Sequence, residues 1–270
     1  MDDATNPASN MPPPDVQPDA WADWRAATPA RIALGRAGVA TPTAETLRFG
    51  WAHALARDAI HTPLDADALA AALQADGWQV LQARSQALDR ATYLRRPDLG
   101  RQLDDADALR AAAPPGTPAL CIVVGDGLSS LAVQRHAQPL LQALRAVLPA
   151  DVPLGPVVVA TQARVALADP IGECLGAAMT AMLIGERPGL SSPDSLGIYL
   201  TYGPRTGRRD AERNCISNVR PQGLGYAEAA HKLAWLVGQA LHRRLTGVAL
   251  KDESDRPVLP AGAPTPRLAP

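Results

Sequence analysis

Three nearly continuous apolar runs punctuate the middle of the chain: ALCIVV (119–124), PVVVA (156–160) and AAMTAMLI (177–184). Each has strand length and is apolar at successive positions, as expected of strands buried on both faces. A shorter strand candidate, WQVLQARS (78–85), precedes them, and LGIYLTY (196–202) follows as the last. Helical patterns fill the gaps. Gly125-Asp126-Gly127 makes a turn, after which Ser129 or Ser130 is placed to cap a helix running to about Leu148. Asp169 reads as the cap of a short helix, PIGECLGA (170–177). The segment 225–247 reads as a long amphipathic helix closed by Gly247. Alternation of this kind predicts an α/β fold, a Rossmann-like and mostly parallel sheet.

The first part of the chain has a different period. Trp21 and Trp24 are spaced i, i+3, and the segment 43–61 puts Leu47, Trp51, Ala54, Leu55 and Ile60 near one helical face. Leu64 to Leu73 predicts a further helix, with Asp65 as N-cap and Gly77 as stop. Residues 21–77 therefore read as an N-terminal helical extension, and 78–250 as the α/β domain. Residues 1–20 and 251–270 are rich in proline and poor in large apolar groups, so both are expected to be flexible tails.

Composition narrows the function classes. Apolar residues make up 47% of the 270, but with one Phe and four Tyr the core must be aliphatic. A net charge of −1 gives no global attraction to nucleic acid or to an anionic membrane. The three cysteines, Cys121, Cys174 and Cys215, lie far apart and form no CxxC, which fits a reducing, cytoplasmic setting. No apolar run reaches the roughly 18 residues of a membrane span, and the N-terminus has no secretory pattern.

The chemistry concentrates in Gly185–Val219. Glu186 follows directly on a buried strand candidate, and Arg187, Pro188 and Gly189 break that strand. After the last strand comes a loop bearing Arg205, Arg208, Arg209, Arg213 and a lone Cys215. Polar groups and glycines gathered at strand ends mark the ligand edge of an α/β sheet. Glu186 reads either as a turn ion-pair partner or as a ligand group. Cys215 reads either as a small buried residue or as a ligand-contacting thiol activated by its cationic neighbours. Val165 reads as packing. The turn GDGLSS is neither GxGxxG nor a Walker loop. The five histidines form no close pair, and no GxSxG elbow exists.

Several uncommon words occur together: PARIALGRAG (29–38), YLRRPDLGRQL (93–103), VGDGLSS (124–130), ARVALADPIGECLGA (163–177), LIGERPGLSSPDSL (183–196) and ERNCISNV (212–219). In this combination the chain resembles the small subunit of ethanolamine ammonia-lyase, from about Thr28 to Thr246. The resemblance implies a Rossmann-like subunit that holds adenosylcobalamin against a large catalytic subunit, within a hetero-oligomer. It places cofactor contacts on Val165, Glu186 and Cys215, none of them catalytic, and makes 78–250 the cobalamin-binding domain. The chain has no DxHxxG, so no histidine is expected to bind cobalt. The implied reaction turns ethanolamine into acetaldehyde and ammonia by a radical route. Proteins of this family can be housed in a bacterial microcompartment.

Overall fold

The computed structural model describes residues 16–255; the tail assignments at 1–15 and 256–270 fall outside the described residues. A six-stranded sheet is built from β3 (Val80–Arg84), β4 (Leu120–Gly125), β5 (Leu154–Thr161), β6 (Met179–Gly185), β7 (Leu196–Tyr202) and β8 (Arg213–Val219), in spatial order β3-β5-β4-β6-β7-β8. Helices α2 (Ala66–Ala75), α5 (Ser130–Val147) and α7 (Tyr226–Arg243) cover one face. The shorter α4 (Ala106–Ala112) and α6 (Ala168–Cys174) cover the other.

Strand alternation explains the continuous apolar runs. On β4, Leu120, Ile122 and Val124 enter the core under α2, α5 and α7, while Cys121 and Val123 enter the core under α4 and α6. Burial on both faces removes the usual polar-out positions. In the α2, α5 and α7 core the apolar side chains run on through β7 and β8. The opposite core stops at β6, with only Tyr199 of β7 packed against its edge.

The sheet is mixed rather than mostly parallel. β3, β5, β4 and β6 pair in parallel, but β6–β7 and β7–β8 are antiparallel. The reason lies in the connection 186–195, which contains no helix and is too short for a parallel crossover. β7 is also not the last strand: 213–219 forms β8 rather than a loop. Its buried residues, Arg213, Ile216 and Val219, are three apart. A register shift opposite Leu196/Ile198 makes room for this, and Asn218 lies in the left-handed region at φ 59°. The period-2 signal of a strand is erased by that irregularity.

Asp169 is not a helix cap. It lies inside α6, where Arg213 of β8 grips it through two bonds of 2.7 and 2.6 Å and also donates to Thr201 Oγ1 at 2.8 Å. Burial pushes the Asp169 carboxyl up, against the pull of the arginine. The pair ties the antiparallel edge to the body. Helix α7 ends at Arg243, with Arg244 in the left-handed region (φ 57°), so Gly247 does not close it. Gly247 opens a further short turn and donates its N–H to Asn214 Oδ1 at 2.9 Å. Elsewhere the expected caps form: Asp65 accepts from Ala68 N and Ser129 from Ala132 N.

The N-terminal segment departs most from the pattern. Val16–Gln17 (β1) pairs with Arg36–Ala37 (β2), and Thr43–His61 forms α1. The face of α1 turned inward carries Ala52, Ala56 and Ala59. Leu47, Trp51 and Leu55, expected on a packed face, are exposed.

Candidate functional site

The C-terminal ends of β4, β5 and β6 meet at one edge of the sheet, and their turns are packed almost into contact. A Cβ on Gly127 would overlap the Gly185 carbonyl, and one on Gly185 would overlap the Ser129 carbonyl. Gly127 also needs its positive φ of 58°. The Leu128 N–H bonds the Gly185 carbonyl at 2.9 Å, which fixes the two turns together.

Beside this seam lies a cleft of about 420 Å³, lined among others by Tyr93, Arg164, Val165, Glu186, Arg187 and Tyr199. Val165 starts the short turn Val165–Leu167 that leads into α6 and is half-buried. Glu186 follows the last residue of β6. Its backbone N–H bonds the Ser195 carbonyl at 2.9 Å, closing the loop 186–195. Its Oε2 accepts from the Ser195 hydroxyl and from Asn218 N at 3.3 Å. Its Oε1 lies where Gly197 leaves room, 2.9 Å from the place a Cβ would take there. Glu186 is thus half-buried and oriented through one oxygen, and among the described residues it forms no salt bridge.

Cys215 is not among the residues lining the cleft. It stands on β8 opposite Tyr199 of β7, exposed, with its sulfur 3.8 Å from Ser217 Oγ. Tyr199 joins it to the cleft, because that side chain both lines the cavity and neighbours the thiol. Burial, and then the Cys215 neighbour, raise the Tyr199 hydroxyl pKa well above its ordinary value, so it stays protonated. Being exposed, Cys215 is not a small buried residue. Val165 and Glu186 are therefore brought to one cleft, and Cys215 to the adjoining open face of the sheet.

The opposite wall went unnoticed in the sequence. Tyr93, on α3 (Arg90–Arg95), is fully buried, with Arg164 at 4.2 Å and Arg90 at 4.7 Å from its ring centre. Its hydroxyl donates to the Ala163 carbonyl at 3.1 Å, and burial pushes its pKa up to about 12. Arg90 holds the Ile60 and Gly127 carbonyls at 2.6 and 2.8 Å. Asp126 accepts from Gln162 N and Ala163 N at 2.9 and 2.8 Å, which anchors the turn bearing Val165. Only the word YLRRPDLGRQL hinted at this wall. An isolated Tyr and scattered arginines carry no periodic signal.

Among the described residues, no group of three His, Cys, Asp or Glu side chains is placed to hold a metal ion. His53, His61, His231 and His242 are exposed, and His136 is buried against Tyr226.

Residues 18–251 match the sequence profile of the family described as ethanolamine ammonia-lyase light chain (EutC). The chain belongs to that family. It is 54% identical over 255 residues to the ethanolamine ammonia-lyase small subunit of Ralstonia nicotianae, covering 93% of this chain and 94% of that one. With the protein of the same name from Azotobacter vinelandii it shares 58% over 240 residues, 87% of this chain and 89% of the relative. The Pseudomonas fluorescens small subunit is 54% identical over 259 residues, 94% of each chain. The light-chain family match thus spans the cleft, both antiparallel strands and the N-terminal segment from residue 18.

Proposed function

We propose that this chain is the small subunit of an adenosylcobalamin-dependent ethanolamine ammonia-lyase. It assembles with a large subunit into a hetero-oligomer and gives Val165, Glu186 and Cys215 to the cobalamin site. Residues 78–250 act as the cobalamin-binding domain and 21–77 as its helical extension. The observation that carries this reading is Glu186: one oxygen is fixed by Ser195 and Asn218 N, while Oε1 takes no hydrogen bond among the described residues.

The residues fit the group. Cobalamin carries amide side chains around its rim, and an oriented carboxylate with an unengaged oxygen accepts an amide N–H. Val165 and the ring of Tyr199 offer apolar surface beside that acceptor. Cys215 extends the same surface along β8 as a short, weakly polar contact. The glycine seam lets the strand-end turns approach closely. The open side of the cleft and the uncovered face of β7 and β8 leave the remaining walls to the large subunit. When bound, adenosylcobalamin supplies the radical chemistry that takes ethanolamine to acetaldehyde and ammonia; this chain binds and orients.

No helix of the described residues is long and apolar enough to cross a membrane. The reading places the complex in the cytoplasm, with housing in a bacterial microcompartment as the family's variant of that setting.

Spectroscopic titration of the reconstituted complex with adenosylcobalamin tests the reading. Glu186→Gln is expected to weaken cofactor affinity by about 1–3 kcal/mol, the worth of a hydrogen bond to a charged group. Unchanged affinity returns Glu186 to a structural role in the loop 186–195. If the wild-type chain binds adenosylcobalamin neither alone nor with its partner, the reading fails.

A further inference from the structure

We infer that residues 16–61 form a second docking surface for the large subunit, separate from the residues that line the cleft. This rests on the partner reading proposed above. Three of the chain's five tryptophans and its single phenylalanine lie on this segment with their rings in the open: Trp21, Trp24, Trp51 and Phe49. Leu47 and Leu55 join them, and Trp51 and Leu47 are 68% and 69% exposed. A domain with one Phe and an aliphatic core does not spend its aromatic residues on water. The Trp21 and Trp24 rings lie 6.5 Å apart; large apolar side chains exposed together on one segment mark an interaction site, and Trp is enriched among the residues that dominate binding energy.

Where the segment is fastened identifies its occupant. Arg31 donates to the Leu190 carbonyl at 3.1 Å, tying it to the loop that begins with Glu186. Arg90 holds the end of α1 through the Ile60 carbonyl and, with the same guanidinium, holds Gly127 at the cleft. Ser130, at the start of α5, donates to the Thr62 carbonyl just beyond α1. All three ties lie at the strand-end edge where the cleft opens. One chain seated at that edge covers the segment and closes the cleft together. A second copy of this chain would cover the aromatics and leave the cleft without its missing wall.

Electrostatics fit an apolar contact rather than a charged one. Glu45 accepts from Arg25 at 2.9 Å and pairs with Arg48 at 2.5 Å, so the central charges are spent within the segment. A partner surface complementary to it is apolar at its centre with a polar rim.

The test is capture of this chain by affinity-tagged large subunit in co-expressed lysate. The triple variant Trp21→Ser, Trp24→Ser, Trp51→Ser is compared with wild type after matched thermal melts. Capture weakened about 30-fold or more supports the inference, the loss expected when hot-spot tryptophans are removed. Equal capture of variant and wild type overturns it and leaves the partner reading standing. A wild-type chain that captures no large subunit overturns the partner reading and this inference with it. Hydroxyl-radical footprinting on the wild-type complex keeps the test independent of variant folding: protection of Trp21, Trp24 and Trp51 on assembly supports the inference, and unchanged labelling overturns it. Equal protection in the small chain alone at the same concentration assigns the surface to a second copy and overturns it too.

Discussion

Helices α7 and α1 have almost the same length, 18 and 19 residues, yet they use their large apolar side chains in opposite ways. α7 turns Leu233, Leu236 and Val237 into the core formed with α5 and the sheet. α1 turns only alanines inward and leaves Leu47, Trp51 and Leu55 outside. A helical apolar stripe therefore says that a helix has a partner without saying whether the partner belongs to the same chain. What separates the two here is the space beneath them. α7 lies over β7 and β8, which bring Leu196, Ile198, Leu200, Ile216 and Val219 to that face. α1 meets the body only through small residues and carbonyl ties near its end.

The comparison is broken most severely by freeing the strands under α7. Arg213→Met leaves the Asp169 carboxylate buried without its partner, and such losses cost about 3–5 kcal/mol. Denaturant unfolding of the variant should show this drop. A change below about 1 kcal/mol would mean that β8 is held by α7 packing alone. Next in size, Leu233→Ala removes a fully buried side chain from α7, with an expected loss of about 2–5 kcal/mol. A cost near zero would make α7 as loosely held as α1.

A smaller effect is set by pH. His136 on α5 bonds Tyr226, the first residue of α7, at 2.8 Å, and its other nitrogen is 3.6 Å from Asp194, which Arg135 and Arg220 also face. Burial lowers the imidazole pKa, with Asp194 pulling the other way. A base with a lowered folded pKa keeps its full contribution above the unfolded value, about 6.5. That contribution declines as pH falls through 6.5 toward the lower folded value. Stability should therefore fall from pH 7 to pH 5, and His136→Gln should flatten that slope. An identical slope in the variant would place the titration elsewhere.

How much of this was legible in the sequence follows from burial. The parallel strands showed plainly because β4 and β6 are apolar on both faces, which leaves a run no loop would carry. β8 was hidden because it is an edge strand, and its buried Arg213 reads as a loop charge until Asp169 is seen beside it. Glu186 could be singled out as a carboxylate after an apolar run; that Ser195 and Asn218 N hold one of its oxygens could not be read there, because neither lies beside it in sequence. Val165 stood out only through the family resemblance, since a valine carries no chemistry by itself, whereas Cys215 was visible as a lone thiol among arginines. The Tyr93 wall was silent because three elements far apart in sequence make it.

The smallest effect is the most telling for the comparison. Leu47→Ala and Trp51→Ala remove large side chains from α1, but those side chains are already in water in the isolated chain, so no cavity forms and little transfer energy is lost. Each should change the unfolding free energy by no more than about 0.5 kcal/mol, the usual range for surface positions. The same alanine exchange at Leu233 costs several times more, though all three residues sit on helices of almost the same length. Unfolding of the isolated chain, followed by fluorescence with Trp78 and Trp235 still reporting on the body, measures both cases. A loss above about 2 kcal/mol for either α1 variant would show that the α1 face is packed against the chain itself, and the contrast with α7 would vanish.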